Sequence, residues 1–465
     1  MKNKILLFCT LLVLVFGCKN PSEEKEFKVF DLAILNAQHI DLETGDIRTQ
    51  NIFISEKRIE VTAPVDSIFS YKAENTIDVS GSYVLPGFWD NHVHFRGGDS
   101  LIEANKGFLE LFLDNGVTTV RDAGGDLTSA VMDWKAHIED GTLEGPTIFS
   151  AGPKIDGANA SWAGSIEVTS KEEVTKALDS LESLKVDFVK LYDSRISGEL
   201  YLESIREAEK RGFVTSGHMP FSVTLEETVN AGLDGVEHMY YVMKGASSKE
   251  REITDRVKSG DLGFWDSMSQ LIDSQDDATK TRTFRLLKDK KVYVIPTLHI
   301  GDVLTAIPDT DHSQDDYLKR MSDGIIATYQ GRIRGAMNAS EEMKANRRAM
   351  EILFEKLVKE LNDNDVKLLA GSDCGAFNSY VYPGISIHRE LQAFVGAGLS
   401  PLEALRTSAY NGANFLSQEN DYGAIAKGKM ADIVILRENP LEDITNSQKI
   451  SFVIKAGKIL RASKE

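Results

Sequence analysis

Short apolar stretches alternate with amphipathic stretches through the centre of the chain, from about Pro86 to Leu416. The amphipathic stretches, such as KEEVTKALDSLESLK and GELYLESIREAEKRG, have the apolar spacing of surface helices. Repeated strand-helix units predict an α/β fold with a parallel sheet, and eight units favour a (β/α)8 TIM barrel over a doubly wound open sheet. The eight apolar stretches read YVLPGFWDNHVH, GVTTVRD, PTIFSAG, VDFVKLYD, GFVTSGH, DGVEHM, KVYVIPTL and VKLLAGSD.

Both ends of the chain alternate apolar and polar residues as strands do. The stretches FDLAILNAQHI and QNIFISEKRIEV stand near the beginning, and ADIVILREN and ISFVIKAGKIL near the end. We therefore predict a small β-sandwich built from residues 28–85 and 419–465, around a barrel at 86–418. Two long charged intervals, His238 to Val292 and His299 to Val366, are expected to form helices that shape a substrate pocket.

The first residues have the layout of an export signal. Two lysines precede thirteen uncharged residues, Ile5 to Gly17, a run too short for a spanning helix. The end, LVFGC, resembles the lipobox of bacterial lipoproteins, which implies a signal peptide at 1–17, lipidation of Cys18 and a tether at 18–27. The alternative is an ordinary secretory signal with a chance cysteine. Lipidation implies a membrane-anchored protein of the bacterial cell envelope, and Lys19 favours the outer over the inner membrane.

The charge balance excludes one class of partner. The net charge of −18, without any block of lysine and arginine, argues against nucleic acid. After loss of the signal, Cys374 is the one cysteine beyond Cys18, so an internal disulfide is not expected. A homo-oligomer is compatible with the sequence.

Candidate metal ligands follow the predicted strands. His92 and His94 are spaced i, i+2, so a strand would direct both imidazoles to one side. Alone this pattern is weak evidence for a metal site, because a chance His-x-His is expected in roughly one such chain in six. Further candidates lie at or near later strand ends, which is the face that carries the chemistry of barrel enzymes. These candidates are Lys190, His218, His238 and Asp373.

This order of residues resembles the amidohydrolase superfamily, and the closest match is to its imidazolonepropionase-like and prolidase-like branch. The segments VLPGFWDNHVH, GVTTVRDAGG, GLSPLEALRTSAYNGANFL and GAIAKGKMADIVILRENPLED carry the resemblance. It implies that His92, His94 and Asp373 bind a first divalent metal ion, and that His218 and His238 bind a second. Lys190 matches the lysine that reacts with carbon dioxide, and its carbamate would bridge the two ions. A structural lysine is the alternative.

The implied reaction is hydrolysis of a C–N amide bond in a small molecule, such as a dipeptide or an N-acyl amino acid. A water polarised by two cations becomes hydroxide near neutral pH. Ligand chemistry favours zinc among several candidate metals. Asp373 would then act as general base and general acid. Tyr240 and His299 are candidate substrate-binding residues.

Two other functions stay open. A mononuclear enzyme that opens a cyclic amide or lactone would keep Lys190 as an uncarboxylated structural residue. A non-catalytic envelope binding protein would be expected to have lost metal ligands. Prolidase-like members often carry a second histidine and a glycine-rich turn, where this sequence reads LYDSRISGE and GHMPFS. A preference for proline dipeptides is therefore not carried over.

Overall fold

The structure, a computed structural model, describes residues 28–462, and for residues 68–70 it describes the backbone alone. The predicted signal segment, Cys18 and the tether lie outside the described residues. The strands are β1 (Val29–Ile40), β2 (Ile47–Ser55), β3 (Arg58–Pro64), β4 (Lys72–Asp78), β5 (Tyr83–Pro86), β6 (Phe88–Val93), β7 (Val117–Asp122), β8 (Thr147–Ser150), β9 (Ile155–Asp156), β10 (Ile166–Glu167), β11 (Val189–Leu191), β12 (Thr215–Gly217), β13 (Gly235–Glu237), β14 (Tyr293–Ile295), β15 (Ile433–Leu436), β16 (Ile450–Lys455) and β17 (Lys458–Ala462).

Helices fill most of the intervals between the central strands. The α-helices are α1 (Ile102–Lys106), α2 (Phe108–Asp114), α3 (Thr128–Asp140), α4 (Lys171–Ser183), α5 (Gly198–Lys210), α6 (Leu225–Ala231), α7 (Met239–Gly245), α8 (Glu250–Ser259), α9 (Met268–Asp273), α10 (Asp277–Asp289), α11 (Leu298–Ala306), α12 (Asp323–Met337), α13 (Glu341–Asp363), α14 (Ile385–Gly396), α15 (Pro401–Arg406) and α16 (Ala409–Phe415). None of the helices in this part of the chain is both long and apolar enough to cross a membrane.

Strands from both ends of the chain form one sheet, in the order β17-β16-β15-β5-β1-β2-β3. Strand β1 also pairs with β4 along its first half and with β5 near its end. The two halves meet at Asn36, whose φ of 58° accompanies a shift in register. Apolar residues line both faces of this sheet, with Leu32 and Ile34 in one cluster and Phe30 and Ala33 in another. The expected β-structure from both termini is thus present.

The central strands are parallel. One sheet has the order β6-β7-β8, and a second has the order β10-β9-β11-β12-β13-β14. Asp187, two residues before β11, donates its backbone N–H to the carbonyl of Ser150 in β8 at 2.9 Å, which links the two sheets. The predicted eighth strand, VKLLAGSD, forms one isolated bridge, from Leu368 to Val294, rather than a regular strand. Its residues still form backbone hydrogen bonds on both sides. The N–H of Leu369 donates to the Val294 carbonyl, and the N–H of Asn91 donates to the Ala370 carbonyl.

The predicted helices form where the sequence is amphipathic. Helix α4 begins after Ser170, whose hydroxyl accepts the N–H of Glu173, and α5 begins after Ser197 in the same way. In α4 the buried residues follow the helical repeat: Val174, Ala177, Leu178 and Leu181. The two long intervals hold α7–α10 and α11–α13, as expected.

Candidate metal and active site

Two histidines of β6 and one aspartate of the segment beside it converge. His92 Nε2 lies 3.2 Å from His94 Nε2. Asp373 Oδ1 lies 3.3 Å from His94 Nε2 and 3.6 Å from His92 Nε2. Gly371 permits the approach of the two segments, because a Cβ there would lie 2.6 Å from Cβ of His92. The i, i+2 spacing therefore directs both imidazoles to one point, as predicted.

The next two strand ends add further imidazoles. His218 follows β12 and His238 follows β13. The ring centroids of His218 and His238 lie 4.6 Å apart, and those of His92 and His238 lie 5.0 Å apart. One ligand atom each of His92, His238 and Asp373 lies within 4.8 Å of the others. Four histidines and one carboxylate thus surround a single small volume.

The Nδ1 atom of each of these histidines is engaged from outside the cluster. An acceptor on Nδ1 fixes the tautomer and leaves Nε2 to face the centre. The partner is Glu237 Oε2 at 2.7 Å for His92, the Gly124 carbonyl at 2.8 Å for His94, Thr297 Oγ1 at 2.6 Å for His238 and Asp193 Oδ1 at 3.4 Å for His218. Hydrogen bonds thus prepare the rings of His92, His94 and His238 to bind through Nε2, whereas Asp193 only lies near Nδ1 of His218.

A divalent cation fits this arrangement. With Nδ1 of His92 and His94 donating, both Nε2 atoms carry lone pairs that repel each other at 3.2 Å. Two tetrahedral ligands with a metal–nitrogen distance near 2.05 Å would lie about 3.3 Å apart, which agrees with that separation. Burial keeps the pKa of His94, His218 and His238 well below the ordinary value, so neutral imidazoles are available.

The backbone is strained at three ligand-bearing or ligand-contacting positions. His238, Thr297 and Asp373 have φ values of 67°, 52° and 55°, in the left-handed region that non-glycine residues rarely adopt. Such conformations cost about 1–3 kcal/mol each and persist where the surrounding structure imposes them. Their concentration at adjacent strand ends is typical of a functional site.

Asp373 is held from two sides. Asn378 Nδ2 donates to Asp373 Oδ1 at 2.8 Å. The preceding residue, Ser372, donates its N–H and hydroxyl to the buried carboxylate of Asp90, at 2.8 and 2.5 Å. Asp90 also accepts the N–H of His92, so it joins the two segments that carry the first ligands. Burial alone would raise the pKa of Asp373, but its contacts with His92 and His94 hold the pKa well below the ordinary range.

Lys190 lies within β11 and is fully buried. Its Nζ lies 3.1 Å from Glu237 Oε1, but the geometry aligns no acceptor for a hydrogen bond. Burial lowers the pKa of Lys190 to about 8. The lowered pKa means that the amine of Lys190 can lose its proton easily. Its nearest charged partner is the carboxylate of Glu237.

Sequence reasoning missed Glu237, which lies beneath the histidines and orients His92 through a hydrogen bond. This buried carboxylate accepts hydrogen bonds from Arg121 Nη2 at 2.8 Å and from Ser216 Oγ at 2.7 Å, besides the bond with His92. Burial opposes its ionisation, but the charges of Arg121 and Lys190 hold its pKa well below the ordinary range. The sequence does contain a signal for this ion pair, because GVTTVRD and DGVEHM each place a charged residue inside an apolar strand. Opposite charges in buried strands are expected to pair.

A cleft of about 1100 Å³ opens over the histidines. The two long intervals supply much of its wall, including Phe264 and Trp265 from the first and Phe354 from the second. Tyr240 lines this cleft, whereas His299 is not among its lining residues. The N–H of His299 donates to Glu390 at 2.8 Å at the start of α11. The cleft is large enough for a small-molecule substrate.

Comparison with known families identifies the chain. The sequence model of the amidohydrolase family matches residues 83–460. The chain belongs to the amidohydrolase family. A curated relative, ochratoxinase from Aspergillus niger, is 22% identical over 455 residues, which cover 89% of this chain and 83% of the relative. An adenine deaminase from Staphylothermus marinus is 28% identical over 243 residues, covering 48% of this chain and 38% of that protein.

Solved structures share the fold of this amidohydrolase. A bottromycin amidohydrolase superposes with a TM-score of 0.72 at 19% identity, covering 92% of this chain and 86% of the other. A Xaa-Pro dipeptidase with methionine bound in the active site superposes with a TM-score of 0.67 at 18% identity, covering 93% of this chain and 100% of the other. Family membership makes the protein an enzyme of the hydrolase class. The structure brings His92, His94, His218, His238 and Asp373 together at one end of its cleft, with Lys190 beneath them.

Proposed function

We propose that this amidohydrolase uses bound divalent cations to hydrolyse a C–N amide bond of a small molecule, such as a dipeptide or an N-acyl amino acid. The observation that carries the proposal is the 3.2 Å approach of His92 Nε2 and His94 Nε2 beside Asp373, at the base of the cleft. The likeness in fold to a Xaa-Pro dipeptidase and a bottromycin amidohydrolase supports the class of reaction. The chain of backbone bonds that joins β6–β8, β11–β14 and residues 368–370 supports a (β/α)8 barrel.

Each residue of the site has its own role in the proposed reaction. His92, His94 and Asp373 would hold the first cation, and His218 and His238 the second. Bound cations supply Lewis acidity and lower the pKa of water. Asp373 accepts the proton that the attacking water loses as its oxygen bonds to the carbonyl carbon. The same carboxylate then delivers this proton to the amide nitrogen as the C–N bond breaks. Asn378 and Ser372 keep Asp373 oriented for both transfers.

Lys190 decides between two versions of the site. In the first version its neutral amine would add carbon dioxide and release a proton, and the carbamate would help to hold two divalent ions, with zinc as the proposed metal. The buried position and the lowered pKa of about 8 support this version. In the second version Lys190 remains an ammonium paired with Glu237, and a single ion serves hydrolysis of a cyclic amide or lactone. The 3.1 Å contact between Lys190 and Glu237 favours this second candidate.

Metal content separates the two versions. The protein, purified with bicarbonate present, should contain close to two ions per chain by plasma mass spectrometry. It should hydrolyse dipeptides or N-acyl amino acids, and Lys190→Met should lose both the second ion and turnover. One ion, with turnover of cyclic amides or lactones that survives Lys190→Met, would select the second version. Turnover that persists after a chelator has removed all metal would contradict both versions.

We also propose that the protein is a lipoprotein of the bacterial cell envelope, anchored through Cys18 to the outer rather than the inner membrane. The LVFGC sequence at residues 14–18 supports this proposal. Cells fed labelled palmitate should transfer label to the wild-type protein and not to Cys18→Ser. Equal labelling of both proteins would refute it.

A further inference from the structure

An aromatic wall leads from the histidine cluster to the mouth of the cleft. Four successive ring contacts, with centroid distances between 4.5 and 6.0 Å, form this wall. The rings belong, in order, to His218, Tyr241, Phe221, Phe264 and Trp265, and all five line the cleft. The wall thus begins at a proposed metal ligand and ends in the segment between α8 and α9, within the first long interval.

The exposure of the side chains rises along the aromatic wall. Tyr241 and Phe221 are buried, Phe264 is half-buried, and Trp265 is 61% exposed. Met343 of α13 also lines the cleft and is 57% exposed. Exposed apolar side chains that continue a buried apolar surface within a cleft are typical of a groove for an apolar ligand. The outer cleft therefore offers apolar surface that residues 28–462 leave in contact with water.

Other helices add apolar side chains to the same cleft. They come from α9, α11 and α13 and are Met268, Ile300, Leu304 and Met350. Methionine adapts to flexible apolar groups because its side chain is unbranched and polarisable. Burial raises the pKa of Glu351, which also lines the cleft, to about 8, so this carboxyl is largely uncharged near neutral pH. Arg332 and Arg347 line the cleft as well, so an apolar ligand would follow the aromatic wall rather than the whole lining.

The starting point of the aromatic wall indicates which part of a substrate it would contact. Asp373, the proposed proton donor to the amide nitrogen, lies against His92 and His94. The wall begins instead at His218, which belongs to the other proposed pair of ligands. The nitrogen side of the scissile amide would therefore lie towards Asp373, and the acyl side towards the wall.

We propose that the aromatic wall binds the acyl chain of the substrate, so that the substrates are amides whose acyl group carries an apolar chain long enough to reach Trp265. This proposal rests on the proposed function and narrows it. Long-chain N-acyl amino acids are favoured over N-acetyl compounds, which leave the wall empty. They are also favoured over dipeptides, whose acyl part would bring a charged ammonium group to an apolar surface. Trp265 and Met343 are the specificity-determining residues.

Binding without turnover tests the proposal. The probes are 2-hexanone and 2-decanone, which keep a carbonyl group and an apolar chain, carry no charge and contain no bond that the enzyme could hydrolyse. Each further methylene should strengthen binding by about twofold if it is half-buried and about fourfold if it is fully buried. Calorimetry on the metal-loaded protein should therefore show that 2-decanone binds at least about fifteenfold more tightly than 2-hexanone.

Three variants locate this preference for the longer chain. Trp265→Ser and Met343→Ser should each weaken the binding of 2-decanone by at least about threefold and leave the binding of 2-hexanone unchanged, because the shorter chain stays near the base of the wall. Both side chains are largely exposed, so neither variant is expected to disturb folding. Met337→Ser is the matched control, since Met337 is 54% exposed but is not among the residues that line the cleft. It should leave both affinities unchanged.

The outcomes separate this proposal from the proposed function. Equal binding of the two ketones would overturn the acyl-chain site, and so would a preference for 2-decanone that persists unchanged in Trp265→Ser and Met343→Ser. Either result in a protein that hydrolyses amides refutes the acyl-chain site alone. A preference that depends on Trp265, in a protein without amidase activity, refutes the proposed function alone.

Discussion

Replacing Glu237 with glutamine tests the buried charge network beneath the site. Glutamine keeps the size of the side chain but removes the charge that pairs with Arg121 at 2.8 Å and with Lys190 at 3.1 Å. Lys190 can respond by losing its proton, because its pKa is already lowered to about 8. Arg121 cannot, so it is left as an unpaired buried cation. Breaking a buried pair in this way costs about 3–5 kcal/mol, a large fraction of a typical total stability of about 5–15 kcal/mol.

Urea unfolding of the wild type and of Glu237→Gln should show this loss as a lower midpoint. The double variant Glu237→Gln/Arg121→Met removes the stranded charge and should recover part of the stability. Glu60→Gln, in an exposed pair with Lys28, is the control and should change little. If the double variant is no more stable than the single one, the unpaired guanidinium is not the source of the loss. The reasoning would then be wrong.

Two further predictions concern histidine partners. Thr297→Val removes the hydrogen-bond partner of His238 Nδ1 and should weaken divalent metal binding by roughly 10–100-fold in a chelator competition. Thr305→Val is the matched control. Equal metal affinities of Thr297→Val and the wild type would contradict the prediction. Burial lowers the pKa of His388 to about 4, so between about pH 6.5 and 4 the unfolded chain binds a proton that the folded chain does not. The free energy of unfolding should therefore fall on acidification, by about 2 kcal/mol between pH 7 and 5 from this group. The urea midpoint of His388→Gln should depend less steeply on pH than that of the wild type by this amount. An unchanged slope would refute it.

The fold was predictable wherever the period of the pattern was clear. Helices α4 and α5 coincide with the two amphipathic stretches, because the apolar spacing and the serine caps both belong to helices. The junction predicted at residue 86 falls at the last residue of β5, which pairs in the terminal sheet, and β6 begins at Phe88. The stretch VKLLAGSD did not form a regular strand. Its close contact with His92 at Gly371 is a property of the neighbouring segment and leaves no mark on the local pattern.

The candidate site was predictable to the extent that ligands follow strands. A single sequence places His92, His94, His218, His238 and Asp373 at strand ends, and parallel strands then bring them to one side. Partners of the ligands were harder to predict because strand order decides which buried charges meet. The hydrogen bonds at Nδ1 of His92, His94 and His238 come from three separate segments, and the backbone carbonyl among them has no sequence signal at all.

The terminal sheet has a consequence for the order of events during synthesis. Strand β5 lies between β1 and β15, and Pro86 pairs with Ile433, about 350 residues later in the chain. At ribosomal rates of about 5–20 residues per second, this edge of β5 waits roughly 20–70 s for its neighbour. An unpaired apolar edge is a template for pairing with other chains. The edge of β5 is therefore open to pairing with other chains until the last strands have been made.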